Sequence, residues 1–461
     1  MDAFQKNISA SLVCVDVVEY GESAQSGWPQ CVIGENLRFD SSGMESYFFA
    51  EWDPVLYDAL VVAGAVEFCD RKIQRHNSEW RRRIRLRVPV HEPDIWSHGP
   101  ASDDLRDALT FLTGDHWILE FHERKRSAAR PRPGRFDLGN NTHSIIPVSD
   151  GMDSNVAAML AARELGNRLV RVHLGTKKFP SNSSDVPREP FTAVPYEVRK
   201  GKWRFGETSM RSRGFKFALI SAIAAHLSGA ERIIVPESGQ GVIGPSILPV
   251  GHAYPDYRSH PRFSRKMEKF LRSLIGFKGR YDHPHMWDTK GETLTRFMEE
   301  TRYEAGWMST RSCWQQNRHV AFGGKSRQCG ICASCMLRRL SVHASGQEEP
   351  PGTYTWEDLD APTFEAGASP GFDKITGALK EHAVAGTLHL EHLSRARFAL
   401  EGEGLLSTES SLLGRSLGMH QDVAREKMKR LLGRHSREWE GFIASLKPES
   451  FVVQWVQGVR P

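Results

Sequence analysis

The stretch IIPVSDGMDSNVAAMLAAREL, at residues 145–165, most constrains what this chain can fold into. An apolar segment leads into a cluster of Ser, Asp and Gly, and an apolar-periodic segment follows at once. This pattern predicts a β-strand, a tight turn and a helix. The backbone N–H groups of such a turn and the N-terminus of the helix converge on one point, and the helix dipole favours an anion there.

The chain after this stretch continues to alternate between strand and helix. Residues 168–175 (RLVRVHLG) and 232–238 (RIIVPES) predict strands, and residues 217–230 (FALISAIAAHLSGA) predict a helix between them. Strand, helix and strand at this spacing favour a parallel sheet. The predicted fold class is therefore α/β, with this parallel sheet as the core of a domain at 142–345.

The regions on either side of this core have different patterns. Residues 81–90 (RRRIRLRVPV) and 116–124 (HWILEFHER) predict strands, so 1–141 is predicted to be a strand-rich domain that ends in a basic linker rich in Pro and Gly. The C-terminal hundred residues predict helices, most clearly at 420–446, so 346–461 is predicted to be a helical extension.

Composition and charge limit the classes of function. The 461 residues are 39% hydrophobic and 25% charged, which allows a sizeable core in two or three domains. The net charge of +5 is too small to indicate nucleic acid as a direct substrate. We find no run of about 18 apolar residues. The polar N-terminal segment does not resemble a signal peptide, so we expect a cytoplasmic protein without membrane association.

The cysteines indicate a metal site. Their count is seven and their spread is uneven, which argues against a secreted disulfide framework. Four of them lie close together, because Cys313 precedes a C-x2-C-x2-C motif made of Cys329, Cys332 and Cys335. Four thiolates separated by short turns suit a tetrahedral structural zinc, and an iron–sulfur cluster uses the same number of thiolates.

The Ser/Asp/Gly turn has several side chains that suit an anion site. Ser149 and Ser154 can add hydroxyl donors, and Gly151 lets the backbone approach an anion closely. Asp153 could hold Mg²⁺ against phosphates, or it could simply cap the helix. No G-x-x-x-x-G-K-[ST] motif is present, so this is not a Walker P-loop.

The spacing S-x-G-x-D-S resembles the pyrophosphate loop of the PP-loop ATPases, usually S-G-G-x-D-S. This resemblance implies a chemistry in which ATP is cleaved between its α and β phosphates and a substrate oxygen is adenylated. It implies ATP and Mg²⁺ as cofactors, with Asp153 and Ser154 as catalytic residues. Asp150 departs from the pattern, because the family usually has Gly there. The implied binding residues of the loop are Ser149, Asp150, Gly151, Met152, Asp153 and Ser154.

Together with the downstream SC…CGICASCMLRR, the loop is similar to the QueC family of 7-cyano-7-deazaguanine (preQ0) synthases. Residues 254–268 (YPDYRSHPRFSRKME) and 287–292 (WDTKGE) resemble two further family segments, and Arg213 carries over from a third. The likeness covers roughly 142–345. It implies Zn²⁺ on the four cysteines, Lys290 as a catalytic residue, Arg213 in cofactor binding, and a substrate pocket that includes Tyr254, Asp256 and Arg258.

The family's reaction is the adenylation of a 7-deazaguanine carboxylate, followed by attack of an amine and then dehydration of the amide to a nitrile. The long segments before 142 and after 345 resemble the QueC-like proteins of bacterial anti-phage systems, notably the Qat-type system. That resemblance implies transfer of the deazaguanine to an amine of a partner protein from the same operon. Two alternatives stay open: a housekeeping preQ0 synthase of queuosine biosynthesis, and a non-catalytic nucleotide-binding scaffold.

Overall fold

The computed structural model describes residues 12–39, 53–75, 81–126, 142–174, 191–194, 196–207, 210–248, 254–302, 306–399 and 405–458. These residues form a mixed α/β protein with two compact units. The sheet unit comprises Met1–Pro147, Leu165–Val235 and Asp256–Asp282; the helical unit comprises Val148–Glu164, Pro236–Pro255 and His283–Pro461. Both units contain residues of the predicted 142–345 domain, and the boundaries at 141 and 345 stay predictions.

The described strands, with the exception of Val148, belong to the sheet unit. They are β1 Leu12–Val18, β2 Gln30–Val32, β3 Leu37–Phe39, β4 Arg83–Val90, β5 His116–Glu123, β6 Ser144–Val148, β7 Leu169–Leu174, β8 Phe191–Val194, β9 Tyr196–Val198, β10 Arg232–Ile234 and β11 Arg280–Asp282. They form a four-stranded sheet in the order β2-β1-β4-β5, a five-stranded sheet in the order β11-β10-β6-β7-β8, and the antiparallel pair β3-β9.

The described helices occur in both units. They are α1 Pro54–Lys72, α2 Pro93–Ser97, α3 Pro100–Thr113, α4 Met152–Leu165, α5 Arg213–Ser228, α6 Gly239–Val242, α7 Gly244–Ile247, α8 Pro261–Ile275, α9 Lys290–Thr301, α10 Asn317–Val320, α11 Ala333–Ala344, α12 Gly377–Ala399, α13 Leu405–Leu417, α14 Gln421–Ala444 and α15 Phe451–Gln457, with a short 3₁₀ turn at Gly166–Arg168. Within the described part of the chain, none of these helices combines the length and apolar character needed to cross a bilayer.

The four-stranded sheet explains the alternating sequence of β4. Ile84 and Leu86 are buried in the core of the sheet unit, and Arg83, Arg85 and Arg87, which alternate with them, face the other side. There Arg87 pairs with Asp16 of β1 at 3.2 Å. All neighbouring strands of this sheet run parallel. The strands predicted at 81–90 and 116–124 are therefore present.

The described part of the N-terminal region contains five strands, and three helices that the sequence did not predict accompany them. The longest, α1, is buried on nearly all sides, and Asp53 caps it by accepting a hydrogen bond from the Val55 N–H at 2.9 Å. Its sequence, PVLYDALVVAGAVEFCDRK, is apolar around the whole helix and so lacks the one-sided periodicity that marks a surface helix. Most of the predicted basic linker, at 127–141, lies outside the described residues.

The five-stranded sheet confirms the predicted alternation of strand and helix. Strands β6, β7 and β10 and helix α5 lie at the predicted segments, and the strand pairs β10–β11, β10–β6 and β7–β8 are parallel. Ile145 and Ile233 from its strands and Ile223 from α5 are buried in one core. The α/β class with parallel sheets is thereby confirmed.

The C-terminal region is helical among its described residues, as predicted. Helices α12 to α15 cover most of 377–457, and α14 lies within the segment predicted at 420–446. One core of the helical unit surrounds Trp356 and Trp439, both of which are fully buried, and it includes three of the clustered cysteines. The cysteine cluster and the C-terminal helices therefore share one hydrophobic core.

Candidate functional site

The predicted anion turn lies at residues 149–151, between the end of β6 and the start of α4. The Ser149 and Ser154 hydroxyl oxygens are 2.8 Å apart, and the Ser149 N–H donates to the Ser154 oxygen at 3.0 Å. The Asn155 amide nitrogen donates to the carbonyl oxygens of Ser149 and Gly151, both at 2.8 Å. The turn is thus closed by its own polar side chains, and Ser154 acts within it as an organising residue.

The other loop residues differ in what they can offer a ligand. Asp150 is exposed, and its carbonyl oxygen accepts a hydrogen bond from the Arg311 N–H at 2.6 Å. A Cβ on Gly151 would come within 3.3 Å of the Ser149 hydroxyl, so the turn favours glycine there. Met152 is buried in an apolar cluster with Phe297, so only its backbone is available to a cofactor.

Asp153 and Lys290 form the central pair of this site. Asp153 lies in the first turn of α4, and its carboxylate accepts a hydrogen bond from the Lys290 ammonium. The Lys290 side chain is 4% exposed and that of Asp153 is 18% exposed. The structure therefore brings together two predicted catalytic residues that are far apart in the sequence. We call residues 149–155 together with Lys290 the loop–lysine site.

Lys290 is held at the N-terminus of α9 by a capping box. The Thr289 hydroxyl accepts from the Glu292 N–H at 3.1 Å, and the Glu292 carboxylate accepts from the Thr289 N–H at 2.9 Å. The Lys290 N–H donates to the side-chain oxygen of Gln240 at 2.7 Å. The backbone of the lysine is therefore fixed independently of its ammonium group.

Sequence reasoning missed the residues that support this cap. Gln240 is one, and Arg430, His435 and Glu438 of α14 are the others. A signal was available, because charged residues recur every fourth position along α14 at 430, 434 and 438, which places them on one helix face. Nothing in the sequence indicated which segment that face contacts.

The four predicted metal ligands lie together in the helical unit. The sulfur atoms of Cys313, Cys329, Cys332 and Cys335 are all within 4.8 Å of one another, and three of the residues are buried. The sulfur atoms of Cys329 and Cys335 are 3.7 Å apart. In a tetrahedral site with Zn–S bonds of about 2.3 Å, two sulfur atoms lie roughly 3.8 Å apart. The cluster could therefore hold a metal ion such as zinc.

Backbone N–H groups point at the sulfur atoms of this cluster. The Cys329 N–H donates to Cys313 Sγ at 3.2 Å, and the Cys332 N–H donates to Cys329 Sγ at 3.3 Å. Gly330, between these two cysteines, has φ +85°, and a Cβ there would come within 2.8 Å of the Trp356 carbonyl oxygen. The turn needs glycine for both reasons. Such N–H···S bonds stabilise thiolates and orient them toward a cation.

The four thiols of the cluster do not ionise alike in the absence of a cation. The neighbouring thiols of Cys329, Cys332 and Cys335 hold the pKa of Cys313 well below its usual range by hydrogen bonding to its thiolate. Burial raises the pKa of Cys329 and Cys335. Four thiolates so close together repel one another, so a divalent cation is the group that would let them all ionise together.

The predicted Arg213, Asp256 and Arg258 belong to the sheet unit. Arg213 begins α5, and Arg258 pairs with Asp256 at 3.2 Å. Burial lowers the pKa of Arg213, and the neighbouring positive charge of Arg258 lowers it further. Burial also lowers the pKa of Arg211, which the sequence reasoning missed. The charges of Asp256 and Arg258 act on this group as well. Two or more guanidinium groups near a single carboxylate suit an anionic ligand.

Tyr254, the remaining predicted substrate residue, is half-buried and belongs to the helical unit. It follows residues 249–253, which lie outside the described part of the chain. Its role therefore stays a prediction.

Comparison with known proteins adds no relative to these observations. No family model matches the chain, and no curated protein matches it. The resemblance to the QueC family therefore rests on the loop, the cysteine spacing and the two intervening segments.

Proposed function

We propose that this protein is an ATP-dependent, AMP-forming C–N ligase of the QueC type. The observation that carries the proposal is the contact between Asp153, in the first turn of the helix after the Ser149–Gly151 turn, and the buried ammonium of Lys290. A Ser/Gly turn and a helix N-terminus suit the departing pyrophosphate. The lysine adds a positive charge where the scissile phosphates would lie, and Asp153 holds that charge in place.

The substrate in this proposal is a 7-deazaguanine carboxylate. A carboxylate is a poor electrophile, and adenylation gives it AMP as a leaving group, so that an amine can attack. Asp256 can accept hydrogen bonds from the N–H groups of a guanine-like ring, and Arg213 and Arg258 can neutralise a carboxylate or phosphate. For Tyr254, a role in substrate binding is implied by the family resemblance alone. Mg²⁺ would be held by Asp153 and the phosphates, where it would neutralise negative charge.

The cysteine cluster has a separate role in this proposal. Zinc fits its four thiolates, and a closed four-sulfur site leaves no position for substrate. Cys313, Cys329, Cys332 and Cys335 therefore stabilise the helical unit and take no part in the chemistry. The N–H···S bonds of the Cys-Gly-Ile-Cys turn provide the orienting shell of such a site.

The acceptor is proposed to be an amine of a partner protein, in a cytoplasmic anti-phage system of the Qat type. Ammonia needs no docking surface, whereas a protein acceptor does. The chain has long segments on both sides of the family-like core, and these are the regions available for docking. A housekeeping preQ0 synthase and a nucleotide-binding scaffold are the alternatives that experiment must separate from this.

The first experiment tests adenylation. Purified protein is incubated with ATP, Mg²⁺ and 7-carboxy-7-deazaguanine, and the nucleotides are separated. We expect AMP and pyrophosphate, with turnover abolished by Asp153→Ala. The matched control is Asp422→Ala, which removes another Asp from the first turn of a helix and should leave turnover intact. ADP as the sole product would contradict the proposal, and absence of any turnover would favour the scaffold.

The second experiment identifies the acceptor. The protein is expressed with its operon neighbours, and intact-mass spectrometry is used to detect a deazaguanine-derived adduct on one of them. We expect an adduct that disappears with Asp153→Ala. A housekeeping enzyme would instead release free preQ0 and would restore queuosine to tRNA in a strain that lacks its own synthase. Complementation without any protein adduct under phage challenge would decide against the defence role.

A further inference from the structure

Helix α14 contacts the segment that carries Lys290 through one of its faces. The Arg430 guanidinium donates to the Glu292 carboxylate at 2.7 Å and to the Trp287 carbonyl oxygen at 2.8 Å. Two turns further along, the Glu438 carboxylate accepts a hydrogen bond from the Thr289 hydroxyl at 2.7 Å. These contacts flank Lys290 on both sides in the sequence, and all of them lie within the helical unit.

The bond between Glu438 and Thr289 completes the capping box. The Thr289 hydroxyl must accept from the Glu292 N–H, so its own proton has to be donated elsewhere. The Glu438 carboxylate accepts the hydrogen bond from that hydroxyl, and Arg434 also donates to Glu438 at 3.0 Å. Thr289 is fully buried, so bulk water does not reach its hydroxyl to replace Glu438 as the acceptor. Glu438 therefore fixes the orientation of the residue immediately before Lys290.

A second set of bonds reaches the backbone of Lys290 itself. The Lys290 N–H donates to the oxygen of the Gln240 amide, and the nitrogen of that amide lies 3.3 Å from His435 Nδ1. His435 Nε2 lies 3.0 Å from the Leu390 carbonyl oxygen. Since a carbonyl only accepts, Nε2 carries the proton and Nδ1 accepts from Gln240. This series of hydrogen bonds fixes which end of the Gln240 amide faces Lys290.

We propose that helix α14 is a positioning element for Lys290, with Glu438 and His435 as its positioning residues. The proposal rests on the proposed function, because it gives the C-terminal helix a role in holding the lysine that acts on the scissile phosphates. Glu438 acts through Thr289, and His435 acts through Gln240. Neither touches the ammonium of Lys290, so their loss leaves the charge present and changes where it is held.

This role has a kinetic signature. A displacement of about 1 Å of a catalytic group can lower a rate by about a hundredfold, whereas binding of the whole nucleotide depends on many contacts. We therefore expect Glu438→Leu and His435→Leu each to lower kcat for AMP formation by about tenfold or more. The KM for ATP should change by less than about twofold.

Two further variants separate positioning from general loss of structure. Glu438→Gln retains an oxygen that accepts from Thr289, so it should recover kcat to within about twofold of the native protein. Ser436→Ala is the matched control, because Ser436 is buried on the same helix and its hydroxyl donates to Glu440 at 2.8 Å. It should leave kcat and KM unchanged. Equal losses in Glu438→Gln and Glu438→Leu would overturn the proposal.

An independent measurement does not depend on turnover. Hydrogen exchange of the backbone amides at 289–292, followed by mass spectrometry, should accelerate in Glu438→Leu and His435→Leu and stay unchanged in Ser436→Ala. Unchanged exchange in both leucine variants would overturn the positioning role. Accelerated exchange in a protein that does not form AMP would leave the positioning role standing and would contradict the proposed function instead, so the two failures are distinguishable.

Discussion

The cysteine cluster and the loop–lysine site lie in the same unit but are built in different ways. Three members of the cluster, Cys329, Cys332 and Cys335, come from one turn and the start of α11, and only Cys313 comes from an earlier part of the chain. The loop–lysine site joins residues 149–155 to Lys290, and Gln240, the start of α9 and a face of α14 hold that lysine in place. One site is mostly local in the sequence and the other is assembled from four distant segments.

The two sites therefore depend to different extents on the correct packing of distant segments. The backbone of the short Cys-Gly-Ile-Cys turn already points N–H groups at sulfur, so this turn and the helix after it place three of the four cysteines. Lys290 can reach Asp153 only when α4, α9 and α14 are all in place. We therefore expect the cluster to control stability and the loop–lysine site to respond to small changes at a distance.

The largest expected effect is the loss of metal from the cluster. Cys332→Ser should abolish zinc binding and strongly destabilise the helical unit, because the apparent binding energy of a structural zinc reaches about 10–16 kcal/mol in small zinc domains. Elemental analysis should find about one zinc and no iron per native chain, and chemical unfolding should show the loss of stability in the variant.

The control for this prediction is another cysteine. Cys14 lies in β1 of the sheet unit and is not a member of the cluster, so Cys14→Ser should keep zinc and stability. Full zinc occupancy in Cys332→Ser would contradict the assignment of the ligands. Iron in the native protein would show that the four cysteines hold an iron–sulfur cluster and not zinc.

The next effect concerns the pH dependence of folding stability that is due to His435, which supports the loop–lysine site through Gln240. Burial lowers the pKa of His435 to about 4. Between this value and about 6.5, the unfolded state holds a proton that the folded state lacks, so stability falls as pH decreases through this range. The stability due to a neutral His435 is fully present above about pH 6.5. The loss should reach about 3 kcal/mol near pH 4.

The variant His435→Phe removes this titration and should flatten the pH dependence of the unfolding free energy by about 1.4 kcal/mol per pH unit within that window. Comparing native protein and variant at each pH cancels any acid release of zinc that both share. His420→Asn is the control, because His420 is exposed and Asn can keep its helix cap. Parallel pH profiles for native protein and His435→Phe would contradict the prediction.

The two partners of the central pair should differ in how much stability they cost. Asp153→Ala leaves the Lys290 ammonium, 4% exposed, without its carboxylate, and should cost about 2 kcal/mol. Lys290→Ala leaves Asp153, which is 18% exposed and lies at a helix N-terminus that stabilises negative charge, and should cost about 1 kcal/mol. Urea unfolding of both variants and of the double variant measures this asymmetry; equal costs would contradict it.

Much of the fold could be predicted because its signals are local. Strands β6, β7 and β10 and helix α5 were predicted within a few residues, since short apolar runs between turn signals mark buried strands. The four cysteines were predicted as one cluster from spacing alone, and the structure brings them together. Their backbone geometry, including the positive φ of Gly330, follows from the same short motif.

The rest could not be predicted, for two physical reasons. Helix α1 is buried on nearly all sides, so burial removed the periodicity on which helix prediction depends. Gln240 and Glu438 bond to Lys290 and Thr289, respectively. Tertiary packing between segments that are distant in the chain fixes these partners, and no spacing rule connects them. The family resemblance named Asp153 and Lys290 separately, and their pairing was not predicted.

The smallest expected effect concerns Asp150, the one loop residue that departs from the PP-loop pattern. Its side chain is exposed, and its carbonyl oxygen is held by the Arg311 N–H. A surface charge interaction is worth about 1 kcal/mol or less, so removing this carboxylate should lower the KM for ATP by only a few fold.

Asp150→Gly restores the family residue and Asp150→Asn removes only the charge. Both should therefore improve ATP binding to a similar extent, with kcat unchanged and the effect reduced at high salt. A tenfold or greater loss of turnover in both variants, restored by raised Mg²⁺, would show instead that Asp150 is a metal ligand. Two carboxylates of the loop, those of Asp150 and Asp153, would then hold a cation, and the loop would resemble the cysteine cluster in being organised around a bound metal.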